Sequence, residues 1–253
     1  MPTLASERLR RHITVMFTEL ADHLRVNEPP SALHAAAEVA LKRIGGADSA
    51  SVTLWNTTGF STATHTDGVA LGADRIQYDL GQGPALTVIE SGEPAYLGDP
   101  RHRHHWPELE ARLADRYSVL SALCVPLGTA RNETGDISAG LNLYGTTVDA
   151  FGPMGVRMTS VLAAYAGYAW RSMASAVIDG AHEHEARDLA AWGPAIGLLM
   201  ARHALNCDDA ITMLRTTSRA TNRPIADLAA EVVQCGDLGR PAKPFILARR
   251  EAG

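Results

Sequence analysis

The sequence predicts an α+β protein in which an antiparallel sheet flanked by helices precedes a C-terminal bundle of three helices. Three observations lead to this fold class. Apolar residues recur at three- and four-residue steps near both ends of the chain, which is the periodicity of an amphipathic helix. Short segments between residues 50 and 145 alternate apolar and polar residues, as half-buried strands do. Proline and glycine divide residues 191–236 into short helical pieces.

Two helices and a strand are predicted at the N-terminus. Residues 4–24 carry a helical apolar stripe, which the segment NEPPS ends. Ser31 fits the N-cap of a second helix over residues 32–44, and GGAD terminates that helix. The segment ASVTLW, residues 50–55, is rich in β-branched residues and predicts a strand followed by a polar loop.

The middle of the chain is predicted to contain short strands and helices. Ile76, Tyr78 and Leu80 alternate with polar residues and predict a strand, which a tight turn at residues 81–84 ends. The remaining predicted elements are a helix over 85–90, a strand over 95–97, a helix over 107–116 and strands over 118–128 and 136–145.

A long helical pattern begins at Met154 and continues to His184, with one apolar stripe along it. A helix of this length needs a packing partner. We expect it to pair with the N-terminal helix and with a second copy of itself, which would make the protein a homodimer. The alternative is a single helix on the back of the sheet, which requires no dimer.

Pro194 is expected to kink or restart this helix because proline cannot donate the helical hydrogen bond. Three helical pieces follow, over residues 195–204, 208–220 and 225–233. The predicted domains are an N-terminal domain over 1–175, a long connecting helix over 153–191, a C-terminal bundle over 186–236 and a basic tail over 237–253.

Composition indicates a protein with a substantial core and no overall attraction to polyanions. The chain is 46% hydrophobic and 20% charged, with a formal net charge of −5. Positive charge is in excess only from residue 186 onward. Three scattered cysteines fit neither a metal site nor a disulfide framework, and the N-terminus lacks the apolar run of a signal peptide. A cytoplasmic protein is therefore expected.

Arg215, Arg219 and Arg223 are four residues apart, which places them in one stripe on a helix. No acidic residue lies between them in the sequence. The stripe has two interpretations, a solvated face or a surface that binds phosphate. Under the first interpretation, Arg215 has a candidate partner in Asp227.

The segment from Ala195 to Val233 resembles an ANTAR domain, the three-helix module of bacterial transcription antiterminators. The resemblance rests on Ala-x-Gly-x-Leu-Met, an Arg, a turn with acidic residues, Leu-Arg-x-x-Ser and Asn-Arg. The matching residues are Ala195, Gly197, Leu199, Met200, Arg202, Asp208, Ala210, Leu214, Arg215, Ser218, Asn222 and Arg223. The preceding part resembles a GAF domain of the type fused to ANTAR in actinobacteria, through LGQGPALTVIESGEPAYLGDP.

This resemblance implies an RNA-binding protein that holds paired stem-loops in nascent messenger RNA, so that a terminator hairpin cannot form. The RNA-binding candidates it implies are Ala195, Ile196, Gly197, Met200, Arg202, Arg215, Ser218, Arg219, Asn222 and Arg223. Arginines would contact phosphate or stack on loop bases, while Ala195 and Gly197 would let a base or backbone approach closely. Pro194 and Ile196 depart from the Gln and Lys common in the family, which removes positive charge.

The GAF resemblance implies a small-molecule pocket. Its candidate lining residues are Trp55, Tyr78, Leu86, Tyr96, Leu123 and Tyr144, each of which also fits an ordinary core position. No attachment signal for haem or bilin is present, so no cofactor is expected. The histidines of RHRHHWPELE lack a metal-ligand spacing, and no catalytic triad has a supporting context. Neither a metal site nor an enzyme activity is therefore expected.

Two other functions remain open at this point. The three C-terminal helices would also fit a DNA-binding regulator of the helix-turn-helix kind. Alternatively, the protein is a ligand-binding dimer whose bundle contacts another protein.

Overall fold

The computed structural model describes residues 4–24, 29–98, 105–132, 135–179 and 183–238. Its helices are α1 (Leu4–Leu24), α2 (Pro29–Arg43), α3 (Gly68–Leu80), α4 (Pro84–Ser91), α5 (Pro107–Tyr117), α6 (Pro153–Asp179), α7 (Glu183–His203), α8 (Cys207–Thr221) and α9 (Ile225–Cys235). Its strands are β1 (Ser49–Asn56), β2 (Gly59–His65), β3 (Ala95–Leu97), β4 (Ser121–Asn132) and β5 (Gly135–Gly145). No helix within these ranges is long and apolar enough to cross a bilayer.

The strands form one antiparallel sheet in the order β2-β1-β5-β4-β3. Val52 lies opposite Leu141, which in turn lies opposite Val125, and all three belong to the core that α2 and α6 cover. Because successive side chains alternate between faces, the neighbouring pair Ser51 and Asn142 points to the other face, under α3, α4 and α5. The predicted α+β class is confirmed.

Helix α3 occupies the segment predicted as a strand around Ile76 and Tyr78. The Asp67 side chain accepts a hydrogen bond from the Ala70 amide and caps the start of the helix. Gly81 ends it in the left-handed conformation, at φ 63°. The prediction was wrong because this short amphipathic helix places apolar residues two positions apart, a spacing that also occurs in strands.

The polar segment after β1 is an edge strand, β2, and not the predicted loop. The turn between the strands is held by the Asn56 Oδ1 atom, which accepts from the Thr58 amide at 2.8 Å. Gly59 has a φ of 115°, which favours glycine. Exposure alternates along β2, as expected for a strand. Because most residues of β2 are small and polar, the sequence lacks the apolar alternation that predicts a strand.

Helices α6 and α7 run antiparallel. Arg157 donates a hydrogen bond to the Ala201 carbonyl, and a Cβ atom on Gly193 would lie 2.5 Å from the Tyr165 hydroxyl. Going forward along α6 from Arg157 to Tyr165, the contacts move backward along α7 from Ala201 to Gly193, as they do between antiparallel helices. The segment predicted as one connecting helix over 153–191 therefore contains two antiparallel helices, and α6 packs along the sheet on β4. Pairing of α6 with a second copy of the chain stays a prediction.

Pro194 lies inside α7 and does not interrupt it. The helix continues on both sides because its residues from Ala195 to Met200 are buried between neighbouring helices. The free energy gained by burying these residues exceeds the cost of the one hydrogen bond that proline cannot donate.

One hydrophobic core extends from the sheet through α6 into the C-terminal bundle. The N-terminal helix α1 joins the two parts, since it packs against α2, α6 and α7. Phe17 of α1 contacts Tyr165 of α6 edge to face, with ring centroids 4.9 Å apart. Arg43 Nε also donates to Glu19 Oε2 at 2.8 Å, which ties α1 to α2 and lowers the pKa of Glu19.

Candidate nucleic-acid interface

Helix α8 presents one apolar face to the bundle and one polar face to solvent. Asn206 caps its N-terminus by accepting a hydrogen bond from the Asp209 amide at 2.8 Å. Acidic residues in its first turn interact favourably with the helix dipole. The buried residues follow helical spacing and are Cys207, Ala210, Ile211, Leu214 and Thr217. This spacing turns the opposite face outward.

Arg215 and Arg219 lie on the polar face of α8, next to the exposed Thr212 and Thr216. Arg219 is exposed and Arg215 is half-buried. Among the described residues, neither guanidinium has an ion-pair partner, so the pair considered for Arg215 with Asp227 does not form. Their charges are therefore available to an external anion.

The other two candidate arginines are paired. Arg223 Nη1 lies 2.7 Å from Glu231 Oε2, and Arg202 Nε lies 2.8 Å from Asp237 Oδ2. The Arg223 and Arg202 side chains are 44% and 55% exposed, and such solvent-facing pairs contribute about 0–1 kcal/mol. An external anion can therefore replace either carboxylate at little cost.

Ser218 and Asn222 build the turn between α8 and α9. Asn222 adopts the left-handed conformation at φ 51°, and its amide donates to the Ser218 carbonyl. The Ser218 hydroxyl donates to the Arg223 carbonyl at 2.6 Å. The structure thus gives Ser218 a local structural role, while the exposed Asn222 side chain remains at the surface beside the arginines.

The small residues of α7 are buried and do not form the open surface expected from the sequence. Ala195 and Ile196 are 0% exposed, and Met200 is 2% exposed. A Cβ atom on Gly197 would lie 2.6–2.7 Å from the Phe17 ring. Gly197 is small here because helix α1 packs directly on it, so the expectation that a base approaches this face does not hold in this arrangement.

The six candidate pocket residues do not line one site. Leu123 and its cross-strand partner Tyr96 belong with the core under α6. Tyr144 faces the opposite side, because Leu123 pairs with the preceding residue, Leu143. Trp55 is 41% exposed. The candidates on the face under α3, α4 and α5 that are at least half-buried are Tyr78, Leu86 and Tyr144.

A buried polar cluster fills that face, and sequence reasoning missed it. Asp74 Oδ1 accepts hydrogen bonds from Ser51 Oγ at 2.8 Å, Asn142 Nδ2 at 3.1 Å and the Tyr144 hydroxyl. Thr62 Oγ1 donates to Asp74 Oδ2 at 2.7 Å. Polar residues alternating along β5 were the available signal, but their partner Asp74 lay in a segment predicted as a polar loop.

The environment of these groups favours a structural role. Burial raises the pKa of Asp74, and the hydrogen bonds it accepts act in the opposite direction. Burial also raises the pKa values of the Cys124 and Cys207 thiols, which keeps both protonated and unreactive. Within the described ranges no group of His, Cys, Asp and Glu side chains is placed to hold a metal ion. His102 and His104 lie outside those ranges.

Replacing Asp74 with Leu is expected to destabilise the sheet domain by roughly 3 kcal/mol or more, measured by chemical denaturation. The substitution leaves several buried donors without an acceptor, at about 1–3 kcal/mol each. The matched control is Asp79→Leu on the exposed face of the same helix, for which a change within about 0.5 kcal/mol is expected. Equal losses in the two variants would mean that the cluster contributes nothing specific.

Comparison with known proteins divides the chain into the part that contains the sheet and the C-terminal helical bundle. A GAF domain model matches residues 27–171, and an ANTAR domain model matches residues 185–233. No curated protein matches the chain. One similar solved structure is a domain of a protein described as a two-component sensor histidine kinase from Sinorhizobium meliloti 1021. It is 15% identical, with a TM-score of 0.43 over 59% of this chain and 94% of that chain.

GAF domains sense signals, and ANTAR domains are RNA-binding modules of antiterminators. Both are regulatory and not catalytic. The GAF match covers more than half of the chain, and Arg215 and Arg219 of α8 lie inside the ANTAR match. The chain therefore belongs to the GAF family and carries an ANTAR domain behind its GAF domain.

Proposed function

We propose that this protein prevents transcription termination by binding paired stem-loops in nascent messenger RNA. RNA that the protein holds as paired stem-loops cannot at the same time fold into the terminator hairpin. The mechanism therefore requires no chemical step. One observation carries the proposal: within the matched ANTAR region, Arg215 and Arg219 lie side by side on an outward helix face, and no acidic side chain in the described part of the chain pairs with them.

The chemistry of this face suits RNA loops. Guanidinium groups contact phosphates and stack on unstacked bases, which loops present and duplexes do not. Thr212, Thr216 and Asn222 add exposed hydrogen-bonding groups along the same side of the domain. Arg223 extends the cationic surface once phosphate displaces Glu231.

Two copies of the chain would bind two stem-loops. One chain presents one such helix face, so a homodimer places two faces at a fixed separation. Linking two binding events raises overall affinity through effective concentration, without any new contact. This arrangement explains why a pair of hairpins, and not a single one, would be the target.

Access to the bundle is the step at which the sensor domain would act. Helix α1 covers the α7 face that contains Gly197, through Phe17. A signal that loosens α1 would expose this face beside α8. The same contact links the bundle to α2 and α6, which lie on the sheet. Candidate signals are a small molecule or a partner at the sensor domain.

Fluorescence anisotropy with labelled nucleic acids tests the function. The purified full chain is titrated with a two-hairpin RNA, with either hairpin alone and with duplex DNA of equal length. The proposal predicts the highest affinity for the two-hairpin RNA, by roughly tenfold or more over a single hairpin. Tighter binding to duplex DNA would support a DNA-binding regulator, and no salt-sensitive RNA binding would support a protein-binding bundle.

A further inference from the structure

A cleft of about 510 Å³ lies where α1, α6, α7 and α9 meet. Its floor includes Ile13 and Leu198, which are 2% and 4% exposed. Arg10, Arg157 and Arg202 also line it, each from a different helix. Volumes of 300–1,000 Å³ with an apolar floor and a few polar groups are typical of small-molecule sites.

Two of these guanidinium groups are held in place by carbonyl groups near helix C-termini. Arg10 Nη1 donates to the Val233 carbonyl at 3.0 Å and also to that of Gln234. Arg157 donates to the Ala201 carbonyl through Nη2. A guanidinium has five N–H donors, so most of the donors of Arg10 and Arg157 remain unused among the described residues.

Positive charge is concentrated at one side of the cleft. A Cβ atom on Gly236 would lie 3.2 Å from Arg10 Cδ and 3.8 Å from Arg202 Nη1, so these two side chains approach the same point. Asp237 already bonds both Arg202 and His203. Glu7 also lines the cleft. Arg10 and Arg157 together carry more charge than that single carboxylate, so an anion that enters the cleft meets a net positive charge.

We propose that this cleft binds a small organic anion, with a phosphate or carboxylate head and an apolar body. The head would bridge Arg10 and Arg157, whose unused donors suit either oxyanion. The body would lie on the floor formed by Ile13 and Leu198. Preorganisation of the guanidinium groups by the helix ends reduces the entropy lost on binding.

Such a ligand would also stabilise the packing of α1 on α7, because the cleft is complete only when the helices are together. By linkage, a ligand that favours the packed arrangement opposes any partner that needs α7 exposed. This consequence rests on the proposed function, whereas binding of the anion does not.

Calorimetric titration of the full chain without RNA tests the site. The probes are phenyl phosphate and benzoate, which separate the two head groups, with neutral benzyl alcohol and inorganic phosphate as controls. We expect saturable one-to-one binding of at least one aromatic anion, weaker binding of inorganic phosphate and none of benzyl alcohol. Failure of both aromatic anions to bind at millimolar concentration would overturn the proposal.

Variants locate the site. Arg157→Gln is expected to weaken binding of the aromatic anion by roughly tenfold or more, since it removes charge-assisted hydrogen bonds. Arg75→Gln, on the exposed face of α3, should leave the affinity unchanged. If Arg157→Gln does not fold by circular dichroism, Arg10→Gln provides the same comparison. Unchanged affinity in a folded cleft variant would contradict the assignment. If the anion binds but the anion-free protein binds no hairpin RNA, only the proposed function is contradicted.

Discussion

Replacing both Arg215 and Arg219 with Ala is expected to weaken binding of a two-hairpin RNA by roughly a hundredfold or more. Each substitution removes charge-assisted hydrogen bonds to phosphate, at about 1.5–3 kcal/mol apiece. The fold should be unaffected, because both side chains lie on the outward face of α8 without ion-pair partners among the described residues. Alanine is also a strong helix former.

The control for this variant is Arg75→Ala, which removes a guanidinium from the exposed face of α3. Anisotropy measures the affinity of each protein, and thermal unfolding verifies its fold. Arg223→Ala should have a smaller effect than Arg215→Ala, because Arg223 must first leave Glu231. If the double variant and the control bind the RNA equally well, the α8 face is not the binding surface.

Replacing Phe17 with Ala is expected to loosen α1 from the bundle and to lower the stability of the protein by about 3–5 kcal/mol. The ring is fully buried against Gly197 and Tyr165. If α1 restrains the RNA-binding domain, the same variant binds hairpin RNA several-fold more tightly, since a larger fraction of molecules is competent to bind.

Phe151→Ala is the matched control for this experiment. Phe151 is 2% exposed and packs edge to face with Tyr96 in the sensor domain, away from α7. Its loss should lower the unfolding midpoint without raising RNA affinity. Equal RNA affinity in the two variants would show that α1 does not control access to the bundle.

The overall fold was largely predictable from the sequence, and the errors have local causes. Strands such as β5 carry a clear alternation, and the N-terminal helix has a continuous apolar stripe. Helix α3 differs from the prediction because the alternation of Ile76 and Tyr78 favours a strand, whereas the caps at Asp67 and Gly81 favour a helix. The edge strand β2 escaped prediction because an edge strand can be polar on one side.

The outward face of α8 was predictable from the sequence, whereas the burial of the small residues of α7 was not. Spacing alone places Arg215 and Arg219 in one stripe, and the structure leaves both without carboxylate partners among the described residues. The small residues Ala195 and Gly197 fit either a contact with RNA or close packing of helices. For Gly197 the outcome depends on a long-range contact with Phe17, and local sequence does not encode such contacts.

The paired states of Arg202 and Arg223 depend on the same kind of information. Asp237 lies beside Arg202 only because α9 packs on α7. Glu231 reaches Arg223 from within α9, the helix that begins just after Arg223. The buried cluster around Asp74 likewise joins side chains from α3, β1, β2 and β5. A sequence pattern can identify each contributor but not the set that meets in space.

The salt dependence of RNA binding tests the central claim most directly. Affinity for the two-hairpin RNA is measured over a range of salt concentrations, for the unmodified protein and for the variant that lacks Arg215 and Arg219. If those two side chains neutralise RNA phosphates, the slope of log affinity against log salt falls in magnitude by roughly 1.4–1.8 in the variant. Identical slopes for the two proteins would contradict the account.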